Sequence, residues 1–249
     1  MVAKKTVIKD TTARRIGAAS SRKSGGIESY LRRIFGLMFG AVGLTAVASF
    51  ITLTTPLLGL LFSPHGLSGF YYILLFGGLA VSIWAQVRVF KMNPSTAAWL
   101  LALYAVLIGI TMTPLIWVAL SVNPGSILMA FVVAAAMFAC MAMFGYKTVK
   151  DLSFLGIVLF MGMIGLILVG IASMFWPAIM GGTAGTVVCF IGVLIFALFT
   201  AYDMQTLKRA YAVIGDDTQK DQLAVLGALH LYISFIAMFQ YLLSLFNRD

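Results

Sequence analysis

Seven runs of about 17–25 predominantly apolar residues, the length a helix needs to cross a bilayer, punctuate this sequence at 34–55, 70–90, 97–120, 126–146, 153–175, 183–206 and 223–246. Each is expected to be a helix, because in lipid a single segment satisfies its backbone hydrogen bonds only that way. The connections are short and carry turn-forming residues: Pro56, Pro64 and Gly66; Asn93-Pro94; Asn123-Pro124-Gly125; Trp176-Pro177. The predicted architecture is therefore all-α: a polytopic membrane protein of seven transmembrane helices over residues 29–249. Residues 1–28, polar and basic, are read as a disordered cytoplasmic tail with no cleavable signal, so the first span acts as the insertion signal.

Composition removes most other classes. Hydrophobic residues make up 61% of the chain and charged residues 10%, against roughly a quarter charged in a soluble domain. The net charge of +9 does not imply nucleic acid, because nine of the 17 basic residues lie between Lys4 and Arg33 and the rest sit between apolar runs. Charge alternates along the connections: none in the first, Arg88 and Lys91 in the second, none in the third. Lys147 and Lys150 follow, then none, then Lys208, Arg209 and Lys220. By the positive-inside rule the amino terminus and the even connections are cytoplasmic. Arg248 falls on the outer side if the last helix crosses, and on the cytoplasmic side if it re-enters.

The last run is the most polar, with His230, Ser234, Gln240 and Ser244 inside it. It belongs at the centre of the bundle, shielded by the other six helices. Gly36, Gly40, Gly43, Gly162 and Gly165 are read as positions of close helix packing. Neither Cys140 nor Cys189 suggests a disulfide or a metal site, and His65 stands alone in an outer connection. No phosphate loop, paired metal-binding histidines or serine elbow occurs, so neither an enzyme nor a bound cofactor or metal is expected.

Of eight acidic residues, seven lie in the tail, the connections or the terminus. Asp203, near the end of the sixth run, is the exception, and an intramembrane carboxylate is a functional candidate by default. The alternative places it at the headgroup level, since Lys208 is five residues on. His230 and Ser234 are four residues apart and share a helix face, so a carboxylate, an imidazole and a hydroxyl would meet if that face turned to Asp203. The alternative is a histidine that only bonds a neighbouring helix. Arg88 closes the second run and is the basic residue best placed to pair with Asp203; the alternative is an interfacial, snorkelling arginine.

Several blocks carry a resemblance. They are Tyr30-Leu31-Arg32-Arg33, Met92-Asn93-Pro94-Ser95-Thr96-Ala97, Phe144-Gly145-Tyr146-Lys147-Thr148 and Lys150-Asp151-Leu152-Ser153. Phe160-Met161-Gly162-Met163-Ile164-Gly165-Leu166, Thr200-Ala201-Tyr202-Asp203-Met204-Gln205 and Gly227-Ala228-Leu229-His230-Leu231-Tyr232 follow. In this order they resemble the Bax inhibitor-1 (transmembrane BAX inhibitor motif) family, in its bacterial YccA-like branch. The resemblance implies seven helices with the carboxyl-terminal one central, a bacterial inner-membrane location, and a pH-sensitive leak of calcium ions. Bacterial relatives are also associated with modulation of a membrane-bound protease.

In the leak picture two aspartates of the last two helices share a proton, and an arginine of the second span pairs with one of them when the path opens. Asp203 matches the first aspartate, and Arg88 is the better match to the arginine, with Lys91 the alternative. Where the family reads Leu-Tyr-Leu-Asp-Phe-Ile-Asn, this chain has Leu231-Tyr232-Ile233-Ser234-Phe235-Ile236-Ala237. Ser234 thus replaces the second aspartate, which removes the carboxyl dyad and leaves His230 to stand in for it.

Overall fold

The computed structural model describes residues 2–64 and 66–248, with side chains from Gly26 onward except Pro177. Most of the expected tail, residues 1–25, and the lone His65 lie outside the residues described in full. Helix α1 (Val2–Thr54) crosses with its segment Gly26–Thr54, and a one-turn helix α2 (Leu57–Leu61) follows. Then come α3 (Gly69–Arg88), α4 (Pro94–Val122), α5 (Gly125–Lys147), α6 (Ser153–Phe175), α7 (Gly182–Val213) and α8 (Asp217–Phe246). Seven of these helices are long and apolar enough to span a membrane. One departure from an all-helical chain is a two-residue hairpin in the first connection, where β1 (Phe62–Ser63) pairs antiparallel with β2 (Gly66–Leu67). Gly66 adopts φ +128°, which a residue with a Cβ rarely does.

Helix ends overrun the apolar runs at the basic end of the bundle. The α7 helix continues to Val213 and α8 begins at Asp217, because polar residues at the interface keep good helical propensity and the first turn of α8 is capped. Asp216 accepts the Gln219 N–H there at 3.1 Å. At the opposite end the fate of the last helix is decided by two contacts. Asn247 Nδ2 donates to Ser126 Oγ at 3.0 Å, and Arg248 Nη1 donates to the Met180 carbonyl at 2.6 Å. Ser126 opens α5 and Met180 lies in the α6–α7 connection, both at the end of the bundle away from Asp221, so α8 runs its full length and does not re-enter.

As the polarity of the last run predicts, α8 is central. Of its apolar stretch 78% is buried, against 6% for α6, which packs chiefly on α7. Neighbours α1, α4, α5 and α7 surround it. Edge-to-face aromatic pairs join Tyr232 to Tyr104 of α4 and Phe235 to Phe131 and Phe138 of α5, while Tyr241 stacks on Phe196 of α7.

Most of the expected close-approach glycines make no such contact. At Gly36, Gly40, Gly43 and Gly165 an added Cβ would meet nothing within 4 Å, and at Gly162 only the flexible tip of Ile195. Gly36, Gly40, Gly43 and Gly165 face outward, where small size confers no packing gain, whereas Gly162 is half-buried against Ile195 of α7, as expected of a contact point. Gly109 instead brings α4 onto α1, with Thr45 O 2.6 Å and Ala48 Cβ 2.7 Å from a Cβ built there. Gly145 lies against the backbone of Ala201 on α7, its built Cβ 2.7 Å from the Ala201 Cα. Neither site can yield, because the obstruction is largely backbone.

Along α7, side chains one turn apart hold the α5–α6 connection. Gln205 Nε2 donates to Lys150 O at 2.7 Å while its Oε1 accepts from Leu152 N at 3.0 Å. Asp151 accepts from Ser153 Oγ and Arg209 Nη1, both at 2.7 Å, and from Ser153 N at 3.0 Å. The Ser153 hydroxyl first, then Arg209, holds this carboxyl down to about 2.

Two outcomes follow from this packing. Gly145→Val destabilises by about 1–3 kcal/mol, the usual range for overpacking, and lowers the melting temperature in detergent, whereas Gly165→Val leaves it unchanged. The Asp151 contacts are complete above about pH 4, near the carboxyl's ordinary value of 3.8, and are lost as pH falls through about 2. Pepsin cleavage at residues 148–152 therefore rises from pH 4 to pH 2 in the native chain, relative to Asp151→Asn assayed in parallel, and the two converge only below pH 2.

Candidate functional site

Asp203 sits ten residues before the end of α7, or about 15 Å of helix, and is 8% exposed between helices. It is enclosed in the bundle and does not lie on the lipid face. Its nearest charged or chargeable partner among the described residues is His230 of α8, whose Nδ1 stands 3.8 Å from Asp203 Oδ1. On its other side His230 Nε2 lies 3.1 Å from Gln86 Oε1 of α3. The Gln86 amide is itself oriented, because its Nε2 donates one turn back to Ser82 O at 3.3 Å and lies 3.2 Å from Ser82 Oγ. Ser82, Gln86, His230 and Asp203 thus form a polar line across α3, α8 and α7.

That line constrains the proton. With the Gln86 nitrogen committed to Ser82, its oxygen faces the imidazole, and Nε2 is the donor. In a neutral ring the Nδ1 lone pair then points toward Asp203, where it would oppose an ionised carboxylate. One proton between Nδ1 and Oδ1 removes the conflict, either on the carboxyl or on the imidazole. The imidazole also has 34% of its side chain exposed while Asp203 has 11%, so access to the pair is through the histidine.

Of the four residues singled out by sequence, the structure brings two together. Ser234, one turn beyond His230, is buried, and no hydrogen bond joins it to Asp203 or His230. Arg88 does not pair with Asp203: it ends α3, is exposed, and makes no ion pair or side-chain hydrogen bond among the described residues. Two residues separate Arg88 from Gln86, and 3.6-residue periodicity turns them to different faces. Gln86 and Ser82 escaped the sequence reading, although a polar pair at i, i+4 inside an apolar run was the signal available.

Above the pair, α8 is fixed by Tyr232. Its hydroxyl is 2.6 Å from Thr45 Oγ1 of α1, and Thr45 Oγ1 is also within 3.0 Å of the Ala41 and Ala105 carbonyls. Thr45 has one proton, which goes to a carbonyl, so Tyr232 donates to Thr45. Below it Gln222 Nε2 donates to Met92 O at 2.7 Å and Asp221 pairs with Arg33. A cavity of about 10 Å³, room for about one water, lies beside the line between Ala85, Val89, Leu226 and Leu229.

Comparison with known proteins gives the family of the chain. The chain is 34% identical over 229 residues to the inner membrane protein YbhL of Escherichia coli K12, covering 90% of this chain and 93% of the relative. It is 31% identical over 215 residues to an uncharacterized protein of Borreliella burgdorferi, with 86% and 89% covered. A membrane protein of Streptococcus pyogenes is 29% identical over 231 residues, with 90% and 94% covered. Residues 27–249 match the family described as "Inhibitor of apoptosis-promoting Bax1". The match over residues 27–249, relatives matched along nearly their whole length, and six spans around a polar carboxyl-terminal seventh place this chain in the Bax inhibitor-1 family.

Proposed function

We propose that this chain is a proton-sensitive leak for cations, calcium foremost, in a bacterial inner membrane, of the YccA-like branch and with its amino terminus cytoplasmic. The Asp203–His230 pair is the gate. The observation that carries this reading is the 3.8 Å approach of the imidazole to an enclosed carboxylate, with Gln86 fixing the ring from the other side. A second carboxylate is absent at Ser234, so the histidine takes over the proton that two acids would share. Removing that proton leaves an ionised Asp203 inside the bundle, which must be neutralised by a cation or by movement of the helices. Arg88, exposed two residues past Gln86 on α3, is the group that swings to it when α3 shifts; the arginine, unpaired among the described residues, and the one-water cavity correspond to the closed form.

In liposomes with the chain reconstituted, calcium entry changes by tenfold or more between pH 5 and 8, roughly the range a histidine covers. Asp203→Asn and His230→Gln each flatten that dependence, and Gln86→Ala shifts it. Absence of flux, or a pH profile unchanged in Asp203→Asn, removes the gate from consideration.

The second reading is a non-conducting regulator of a membrane-bound protease or another bilayer partner. It draws on Ser234 and on α6, whose apolar surface is largely uncovered and packs chiefly on α7. Under it, deleting residues 1–26 changes the set of partners recovered by crosslinking, and bulky substitutions on the outer face of α6, such as Ile157→Trp, reduce recovery. An unchanged set in both argues for the leak alone.

A further inference from the structure

At the basic end of the bundle α1 and α5 both pack on α8 but only sparsely on each other. Between them lies an open apolar groove of about 440 Å³, walled by Leu31, Phe35 and Phe39 on one side and by Ala139, Met143 and Tyr146 on the other. The proton gate uses none of these residues. Eight residues of α1 separate Leu31 from Phe39, and seven of α5 separate Ala139 from Tyr146. The groove therefore runs about 10–12 Å along the helices, within one leaflet of a hydrocarbon layer ~30 Å thick.

Cations gather at its mouth. Arg32 follows Leu31 and Lys147 follows Tyr146; both are exposed, and neither makes an ion pair or side-chain hydrogen bond among the described residues. Lys208 joins them: its Nζ donates to the Tyr146 carbonyl at 2.8 Å and lies 4.8 Å from the centre of that ring. One donated bond leaves two of its three N–H groups free. Among the described acids of this end, Asp221 pairs with Arg33, Asp151 with Arg209 and Asp217 with Lys220, while Asp216 caps the first turn of α8. Glu28, one turn before Arg32, makes no ion pair with it. A one-leaflet apolar slot that ends in unneutralised positive charge has the two chemistries of one molecule.

We propose that this groove holds an anionic phospholipid, one acyl chain between α1 and α5 and its phosphate among Arg32, Lys147 and Lys208. A second copy of this chain fits less well, because a symmetric pairing would set the same cations against each other. The lipid would wedge α1 from α5 on the side of α8 opposite the α3 contact at His230, so it is separable from the gate.

Purified full-length chain, stripped of lipid and supplied with equimolar phosphatidylglycerol and phosphatidylcholine vesicle lipid, is examined by native mass spectrometry. Phosphatidylglycerol is retained preferentially. Each basic side chain holding the headgroup contributes about 1 kcal/mol, or roughly five-fold, so Arg32→Gln with Lys147→Gln lowers the preference by roughly 25-fold. Ala139→Trp fills the groove and lowers retention of both lipids; Ala139→Leu does so partly and serves if the tryptophan variant does not fold. Ile157→Trp on the outer face of α6 leaves retention unchanged. Equal retention of the two headgroups overturns the proposal, as does phosphatidylglycerol binding unaffected by filling at Ala139, or a dimer that replaces the lipid-bound species.

Discussion

Tyr232 has no exposed surface, and the hydrogen bond from its hydroxyl to Thr45 ties the middle of α8 to α1 at the level where Thr45 also meets the Ala105 carbonyl of α4. Three helices are thus registered by one side chain. In lipid an unmade bond of this kind has no water to replace it, so the helices around Tyr232 have to close. The packing elsewhere conforms to that lock. Gly109 allows α4 to reach α1 beside Thr45, and Ser49 Oγ donates to the Gly109 carbonyl at 2.6 Å in the same contact.

With α8 held at the centre, its remaining polar groups are delivered to fixed partners. His230 is carried to α3 and α7 on one level, and Gln222 to the α3–α4 connection below it. The pair formed with Asp203 differs in kind from two carboxyls. Two acids sharing a site cannot both ionise, whereas a carboxyl and an imidazole hold one proton with either zero net charge as neutral partners or zero as an ion pair. In the proposed gate, a histidine four residues before Ser234 therefore keeps a one-proton site while changing what loss of the proton leaves behind.

The basic end of the bundle is also its most cross-linked. Gln205, Lys208 and Arg209 on α7 grasp the α5–α6 connection, Gln222 holds the α3–α4 connection, and Arg33 pairs with Asp221. Exposed ion pairs of this type contribute little individually, but the buried bonds to backbone carbonyls fix the loops that Asp203 stands above. Residues that sequence alone would assign to topology also act as ties, and Lys147 and Arg32 are left over.

Apolar run length and alternating loop charge were enough to give seven crossings and their order, because a bilayer imposes a length and a polarity that any spanning helix must meet. The polar residues of the last run were enough to put it at the centre, and Asp203 stood out as the intramembrane acid. Mean hydropathy would not have done so, since α3 and α8 share a value of 1.8 and are 22% and 78% buried. What only tertiary structure decided was which faces meet. It chose Gly109 and Gly145 over the glycines of α1 as contact points, Gln86 over Arg88 as the α3 partner, and a full crossing over a re-entrant end. Sequence spacing fixes a residue's angle around its own helix, but the rotation of each helix about its axis is set by neighbours remote in the chain.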